Sequence, residues 1–194
     1  MSYSIYTTDG IVLKRTPFGE QNVLISVLTK DLGMINASAQ AARSPKSKLN
    51  SALQEYSLVS LSCVKGKNIW KITNAEESTN FFFDGNREKR QILARLRLVL
   101  LQTIAGEFPQ PEIFETVFSG FEFLKSMSTK DISNFEILTV LRILHALGYV
   151  VLDSETKAFL ESKELSENIL EKVSPKKSIL ISVINKALKE SQLT

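Results

Sequence analysis

Apolar residues follow a strand-like pattern in the first part of the chain and a helical pattern in the rest. Five short runs rich in Val, Ile, Leu and Thr predict β-strands at 11–13, 23–28, 34–42, 53–64 and 69–73. Turn residues separate the runs, as in Pro17-Phe18-Gly19 and Lys65-Gly66-Lys67-Asn68. No segment between them is long enough for a crossover helix, so the pattern favours a small closed barrel such as the OB-fold over a parallel sheet.

From about Asn86 the apolar period lengthens to between three and four residues, which indicates amphipathic helices. Helical faces are predicted at 92–104, 113–124 and 137–147, and Ser174-Pro175 is predicted to open a last helix. Weakly patterned segments between 154 and 172 favour short helical turns. The predicted fold class is therefore α+β, with an OB-fold domain at 1–80 and an α-helical domain at 81–194.

Composition narrows the class of protein. The chain has 194 residues, of which 43% are hydrophobic, so it can bury a sizeable core. Its longest apolar runs are too short to span a bilayer and its N-terminus lacks the pattern of a signal peptide, so we expect a cytoplasmic protein that does not enter the membrane. The single cysteine, Cys63, excludes an internal disulfide and a Cys-rich zinc site, and its neighbours predict a buried strand position.

Charge is unevenly divided along the chain. Residues 1–75 hold nine basic and four acidic residues, a net charge of +5, whereas residues 84–194 hold 15 of each. A basic front half beside a neutral back half suggests that a polyanion binds the front. A solvated surface that happens to carry lysines would show the same count.

The first candidates for phosphate contact lie in a Ser- and Pro-bearing loop, where Arg43, Lys46 and Lys48 fall within six residues without an acid among them. A solvated loop without a ligand is the alternative. Further DNA-binding candidates stand at the end of the first strand and in the last hairpin turn: Lys14, Arg15, Lys65 and Lys67.

Aromatic side chains could supply stacking surfaces for bases. Trp70 shares a strand face with Ile72, which predicts a core position for the indole. Phe18 lies in a turn, where it could be exposed or could pin the loop.

The helical half is dense in phenylalanine. Phe121 and Phe123 lie about 200° apart on a helix and cannot share one apolar stripe, so the surplus is a candidate pocket for the apolar tail of a partner. Lys176 and Lys177 stand in the first turn of the last predicted helix, where a carboxylate or phosphate would offset the helix dipole. His145 is the only histidine, and no catalytic or metal-ligand motif accompanies it. We therefore expect a protein that acts by binding, with no enzymatic activity, cofactor or metal.

Several segments, taken in order, resemble the RecO family of recombination mediators. In the front half they are Gly10-Ile-Val-Leu-Lys14, Phe18-Gly-Glu20, Thr29-Lys-Asp-Leu-Gly33, Ala41-Ala-Arg43, Lys46-Ser-Lys48 and Leu53-Gln54. In the back half they are Phe135-Glu-Ile-Leu138, Leu141-Arg142 and Leu147-Gly-Tyr149. None of these is a catalytic signature, so the resemblance depends on their order and spacing together.

The resemblance implies an N-terminal OB-fold and a helical C-terminal domain. It also implies binding of single- and double-stranded DNA, annealing of complementary strands, and recombinase loading with the partner RecR. The C-terminal tail of single-strand-binding protein is a further implied partner, contacted through the helical domain. Many members carry a Cys-rich zinc module after the Leu-Gly-Tyr segment, whereas Val150-Val-Leu-Asp153 follows here, so zinc binding is not implied.

The leading hypothesis is a monomeric, metal-free mediator of recombinational DNA repair. The alternative is a protein-interaction adaptor built on an OB barrel that does not bind DNA. An RNA-binding OB protein and an enzyme of unknown type follow in that order.

Overall fold

The computed structural model describes residues 4–82 and 86–191. The chain divides into two compact units. The first unit contains five strands and also residues 106–114, and the second contains most of the helical residues.

Five strands close into a barrel in the order β1-β2-β3-β5-β4, with β4 paired back onto β1. They are β1 (Ile5–Phe18), β2 (Asn22–Thr29), β3 (Gly33–Ala39), β4 (Ser57–Lys65) and β5 (Trp70–Asn80). All neighbouring strands are antiparallel except β3 and β5. This is a five-stranded OB-fold, so the predicted α+β fold class is confirmed.

Strand β1 is far longer than the predicted run at 11–13. Its first half pairs with β4 and its second half with β2, so one strand serves two neighbours and closes the barrel. The register shifts between Val12 and Lys14, which marks a β-bulge at Leu13. Ile11, Val12 and Leu13 are all fully buried, and the bulge then turns Lys14 to the outside. Most residues on either side of this run are exposed and many are polar, as at Thr7, Asp9, Lys14 and Thr16, so apolar content alone did not predict the full length of the strand.

Apolar side chains from all five strands fill the barrel, including Val27, Ile35 and Leu61. Trp70 is 4% exposed and Ile72 is buried beside it, which confirms the predicted core position of the indole. Cys63 is also fully buried, and burial raises the pKa of its thiol to about 11. The thiol therefore stays protonated at neutral pH.

The connection between β3 and β4 differs from the sequence prediction. The third strand ends at Ala39 and the fourth begins at Ser57, because Ala41 and Tyr56 adopt positive φ angles of 52° and 69° that no strand accommodates. A short helix, α1 (Lys48–Ala52), lies between them where no helix was predicted. Its Ala52 packs against the barrel core, and that tertiary contact stabilises a helix too short to form by itself.

Helices make up the second half of the chain. They are α2 (Arg87–Thr103), α3 (Pro111–Ser126), α4 (Ile132–Ala146), α5 (Lys157–Leu160), α6 (Glu167–Val173) and α7 (Lys177–Ser191). The Asn86 side chain caps α2 by accepting hydrogen bonds from two backbone N–H groups of the first turn. The most buried of these helices is α4, which packs against α2, α6 and α7. Pro175 lies in a 3-10 turn, so the last helix begins at Lys177, two residues after the start predicted from Pro175.

Candidate nucleic-acid interface

The outer surface of the barrel carries two rows of paired, mostly polar side chains across β1, β2 and β3. Lys14 lies opposite Ser26, and Ser26 lies opposite Asn36. Side chains of directly paired residues point to the same side of a sheet, so these three project together. Ser26 donates a hydrogen bond of 2.8 Å to Asn36 Oδ1, which holds the centre of this row.

The second row lies two residues further along each of the same strands, on the same side of the sheet. Thr16 pairs with Leu24, Leu24 with Ser38, and Ser38 with Lys71 of β5. Lys71 is exposed, and sequence reasoning did not select it as a candidate. The signal was present, because alternation in the strand places Lys71 opposite in direction to the buried Trp70. Its alignment with β2 and β3 depends on the parallel β3–β5 pairing, which no local pattern reveals.

OB-folds bind oligonucleotides on the outer face of strands two and three and with the loops that follow strands one and four. In this chain the two rows form that face, and the loops are residues 19–21 and 66–69. We call the two rows together with residues 40–48 the basic face.

Residues 40–48, the cationic loop of the sequence analysis, are tied to the β1–β2 turn. The backbone N–H of Arg43 donates to the Gln21 carbonyl at 2.8 Å, and that of Ala41 donates to Asn22 Oδ1 at 3.0 Å. Arg43 Nη1 donates to the carbonyl oxygens of Gly19 and Glu20 at 3.1 and 3.0 Å. The Arg43 side chain is exposed, yet its Nη1 is engaged within the fold.

Arg15 holds the same loop from the side of the barrel. Its Nη2 donates to the Ala42 carbonyl at 3.2 Å and to Asn50 Oδ1 at 3.0 Å, while its backbone N–H donates to Glu55 Oε1. Burial lowers the pKa of Arg15, and the positive charge of Arg43 lowers it further while Glu55 opposes the shift. The side chain is half-buried, so Arg15 is part of the scaffold of the loop.

Lys46 and Lys48 lie in the same loop, but in the described part of the chain their ammonium groups, unlike the guanidinium groups of Arg43 and Arg15, make no hydrogen bond that holds it in place. Both are exposed, and within residues 4–82 and 86–191 neither ammonium makes a hydrogen bond or ion pair. Lys14 and Lys71 of the two strand rows share this state, as does Lys67 in the β4–β5 turn. These five ammonium groups are therefore available to an anionic ligand.

Lys65 is engaged elsewhere. Its Nζ lies 2.9 Å from Glu107 Oε2 and 5.4 Å from the centre of the Trp70 ring. Its hydrogen bond to Glu107 raises the pKa of Lys65, and the same bond lowers the pKa of Glu107. Both side chains are well exposed, so the pair is weak and water competes with it.

Two aromatic rings are presented to solvent on the barrel. Phe18 is 55% exposed at the end of β1, where it pairs in register with Asn22. Tyr6 is 42% exposed and packs edge-on against Trp70 with ring centres 5.3 Å apart. Of the two positions that the sequence allowed for Phe18, exposed or pinning the loop, the structure shows the exposed one.

The four partner-binding candidates do not share one site. Phe121 is 1% exposed, so its ring belongs to the core and cannot contact a partner at the surface. Phe123 is half-buried and stacks on Phe135 with ring centres 6.0 Å apart. Lys176 forms an ion pair with Glu155 at 2.9 Å.

Lys177 lies at the rim of an apolar groove of about 470 Å³ between α2, α4 and α7. Its Nζ is 2.6 Å from the Ser133 hydroxyl, a neutral partner. On the other side, Arg95 is bound by both oxygens of Glu136, which raises the pKa of Arg95. The groove is lined by the apolar side chains of Leu98, Val99, Ile137, Val140, Ile181, Ile184 and Leu188.

Hydrogen bonds order the segment that follows Gly148. Asp153 Oδ1 accepts from the backbone N–H groups of Glu155 and Thr156, and the Thr156 bonds chiefly lower the pKa of Asp153. Buried Arg142 donates to the carbonyls of Phe159 and Glu164, each at 3.0 Å. In the described part of the chain, no group of three or more His, Cys, Asp and Glu side chains is placed to hold a metal ion. None of the described helices is long and apolar enough to cross a membrane.

Comparison with known proteins relates the sequence of this chain to a family. Residues 1–81 match the family described as Recombination protein O N terminal. The DNA repair protein RecO of Thermodesulfovibrio yellowstonii is 30% identical over 148 residues, which cover 75% of this chain and 58% of that protein. The protein of the same name from Acaryochloris marina is 31% identical over 147 residues, covering 74% of this chain and 49% of that protein.

A third relative, the DNA repair protein RecO of Synechococcus elongatus, is 26% identical over 145 residues, which are 74% of this chain and 54% of that protein. The chain thus spans about half the length of the curated relatives it matches. The matched family domain coincides with the OB barrel that carries the basic face, and the similarity to these relatives runs on into the helices, so the chain resembles the RecO family over its barrel and part of its helical half.

Proposed function

We propose that this chain binds DNA through the basic face of its OB barrel and acts in recombinational DNA repair. The observation that carries the proposal is the set of exposed, unengaged lysines on the face that OB-folds use for oligonucleotides and in the cationic loop tied to the β1–β2 turn beside it. Similarity to relatives that are named as DNA repair proteins supports the biological role.

Backbone recognition suits the chemistry of this face. Lysine ammonium groups act as point charges toward phosphates, and the Ser, Thr and Asn side chains between them can hydrogen-bond to phosphate or sugar. Such contacts bind single strands with little sequence preference. Neutralised backbones can then approach each other, so annealing of complementary strands follows from the same contacts.

Protein partners form a second part of the proposal, which divides the work between the barrel at 1–80 and the helices at 81–194. The groove between α2, α4 and α7 has an apolar floor and the Lys177 ammonium at its rim, features that suit an acidic tail ending in apolar residues. We propose it as the site for the C-terminal tail of single-strand-binding protein. Cooperation with RecR in recombinase loading belongs to the same proposal and is supported only by the resemblance to the RecO family.

The DNA site is tested by removing two lysines of the loop. A double variant, Lys46→Ala with Lys48→Ala, should bind a labelled oligo-dT about tenfold more weakly in fluorescence anisotropy at low salt, since each lost phosphate contact removes part of the counterion-release term. The matched control is Lys186→Ala with Lys189→Ala, which removes the same charge from exposed positions on α7. Equal weakening by both variants would mean that total charge, rather than this face, binds DNA.

A further inference from the structure

Two of the cations that sequence reasoning assigned to DNA are occupied in holding the protein's own backbone. Arg43 Nη1 has two carbonyl acceptors in the β1–β2 turn, and Arg15 Nη2 has one carbonyl and one amide acceptor. Each Nη atom of a guanidinium group carries two hydrogens. With two acceptors each, Arg43 Nη1 and Arg15 Nη2 therefore use both of their hydrogens in hydrogen bonds within the protein. The neighbouring lysines of the same loop have no such partners among the described residues.

We propose that Arg15 and Arg43 are positioning residues for DNA binding, whose guanidinium groups clamp the cationic loop between the barrel and the β1–β2 turn so that Lys46 and Lys48 are held toward the nucleic acid. This inference rests on the proposed function and divides the cations of the loop into two roles.

Geometry supports the clamp from both sides of the loop. Arg15 reaches the loop at Ala42 and reaches α1 at Asn50, just after Lys48. Arg43 reaches the β1–β2 turn, where Asn22 also accepts from the Ala41 N–H. The segment between these anchors contains Lys46 and has one backbone residue, Ala41, in the left-handed region. Hydrogen bonds at both ends therefore restrict a segment that would otherwise sample many conformations, and DNA binding avoids that ordering cost.

The electrostatics of the pair agree with a structural role. Two neighbouring guanidinium groups repel each other, and Glu55 beside Arg15 compensates part of that charge within the protein. The loop lysines have no acidic partner among the described residues, so their charge is directed to solvent.

The test uses substitutions that separate charge from hydrogen bonding. Arg43→Lys keeps the charge but replaces a rigid guanidinium with a shorter, strongly hydrated ammonium, so it should preserve a phosphate contact and break the clamp. Asn50→Ala removes an acceptor of the Arg15 guanidinium, and Asn22→Ala removes the acceptor of the Ala41 backbone N–H at the end of the loop that Arg43 holds. Neither substitution removes a cation. The matched control is Gln40→Ala, an exposed position of the same loop whose side chain makes no hydrogen bond in the described residues.

We expect Arg43→Lys, Asn50→Ala and Asn22→Ala each to weaken oligo-dT binding severalfold, up to about tenfold, while the slope of log Kd against log salt stays at the wild-type value. Lys46→Ala should instead reduce that slope by about 0.7, the value for one phosphate contact on a single strand. Hydrogen exchange in the free protein should become faster at residues 40–47 in the three clamp variants and stay unchanged in Gln40→Ala.

Wild-type affinity in Arg43→Lys together with a lower slope in Arg43→Ala would make Arg43 a phosphate ligand and overturn the inference. Unchanged affinity in both asparagine variants would overturn it as well. If the unsubstituted protein does not bind oligo-dT, the proposed function fails and the inference with it, whereas a failure of the clamp variants alone leaves the proposed function standing.

Discussion

At the scale of single residues, the main finding is that the cations of one loop differ in their contacts: the Arg43 guanidinium is hydrogen-bonded within the protein, whereas the ammonium groups of Lys46 and Lys48 have no such partner among the described residues. Sequence reasoning grouped Arg43 with Lys46 and Lys48 because all three are cations in a segment without acids. Arg43 Nη1 in fact donates to two carbonyls of a turn that lies more than twenty residues away in sequence. The pattern of charged residues cannot predict such a partner, since every residue has a backbone carbonyl whatever its side chain.

Glycine at position 33 gives a prediction at the same scale. Its φ is +74°, and a Cβ there would overlap the backbone of Phe108. Gly33→Ala therefore combines backbone strain with a steric clash and should destabilise the protein by about 2–3 kcal/mol. Thermal unfolding followed by circular dichroism measures this loss.

The matched control is Gly19→Ala. Gly19 also has a positive φ, +61°, but a Cβ would have no atom within 4 Å. It should therefore lose only the strain component, about 1 kcal/mol. A Gly19→Ala variant as unstable as Gly33→Ala would show that the contact with Phe108 contributes nothing.

At the scale of elements, period and turn residues were enough to predict five strands, their order along the chain and the four longer helices. The ends of the strands were not predictable in this way. The first strand extends well beyond its apolar run because it pairs with two different strands, and many of its outward residues are polar. Helix α1 was missed because five residues with one buried alanine carry no helical period, and its stability comes from packing on the barrel.

The groove between α2, α4 and α7 leads to a prediction about binding of a peptide. A labelled acidic peptide ending in apolar residues and a free carboxylate should bind the full chain, and Ile181→Asp should weaken it by more than about tenfold, because it places a carboxylate among the apolar groove residues. Lys177→Ala should cost less, about threefold to fivefold, as expected for one exposed charge contact.

Helix α7 supplies its own control. Ile179 is also an exposed isoleucine of α7, but it does not line the groove, so Ile179→Asp should leave peptide binding unchanged. If Ile179→Asp and Ile181→Asp weaken the peptide equally, the peptide is held by general charge and the groove is not its site.

At the scale of the whole molecule, charge is segregated along the chain, with a net +5 before residue 76 and balanced charge after residue 83. The sequence alone indicated this division. It could not show which lysines are free, because Lys65 is engaged by Glu107 from a distant segment while Lys71, which was not selected, completes a row on the outer face. Only the parallel pairing of β3 with β5 aligns Lys71 with the residues of β2 and β3.

The central claim is that free lysines of the basic face bind the DNA backbone, and the slope of log Kd against log salt for oligo-dT tests it most directly. Neutralisation of phosphates by three to five lysines predicts a slope between about +2 and +3.5 for a single strand, because Kd rises with salt, with little dependence on base sequence. A slope near zero, or no binding at low salt, would contradict the account and would favour an adaptor that uses the barrel to bind proteins.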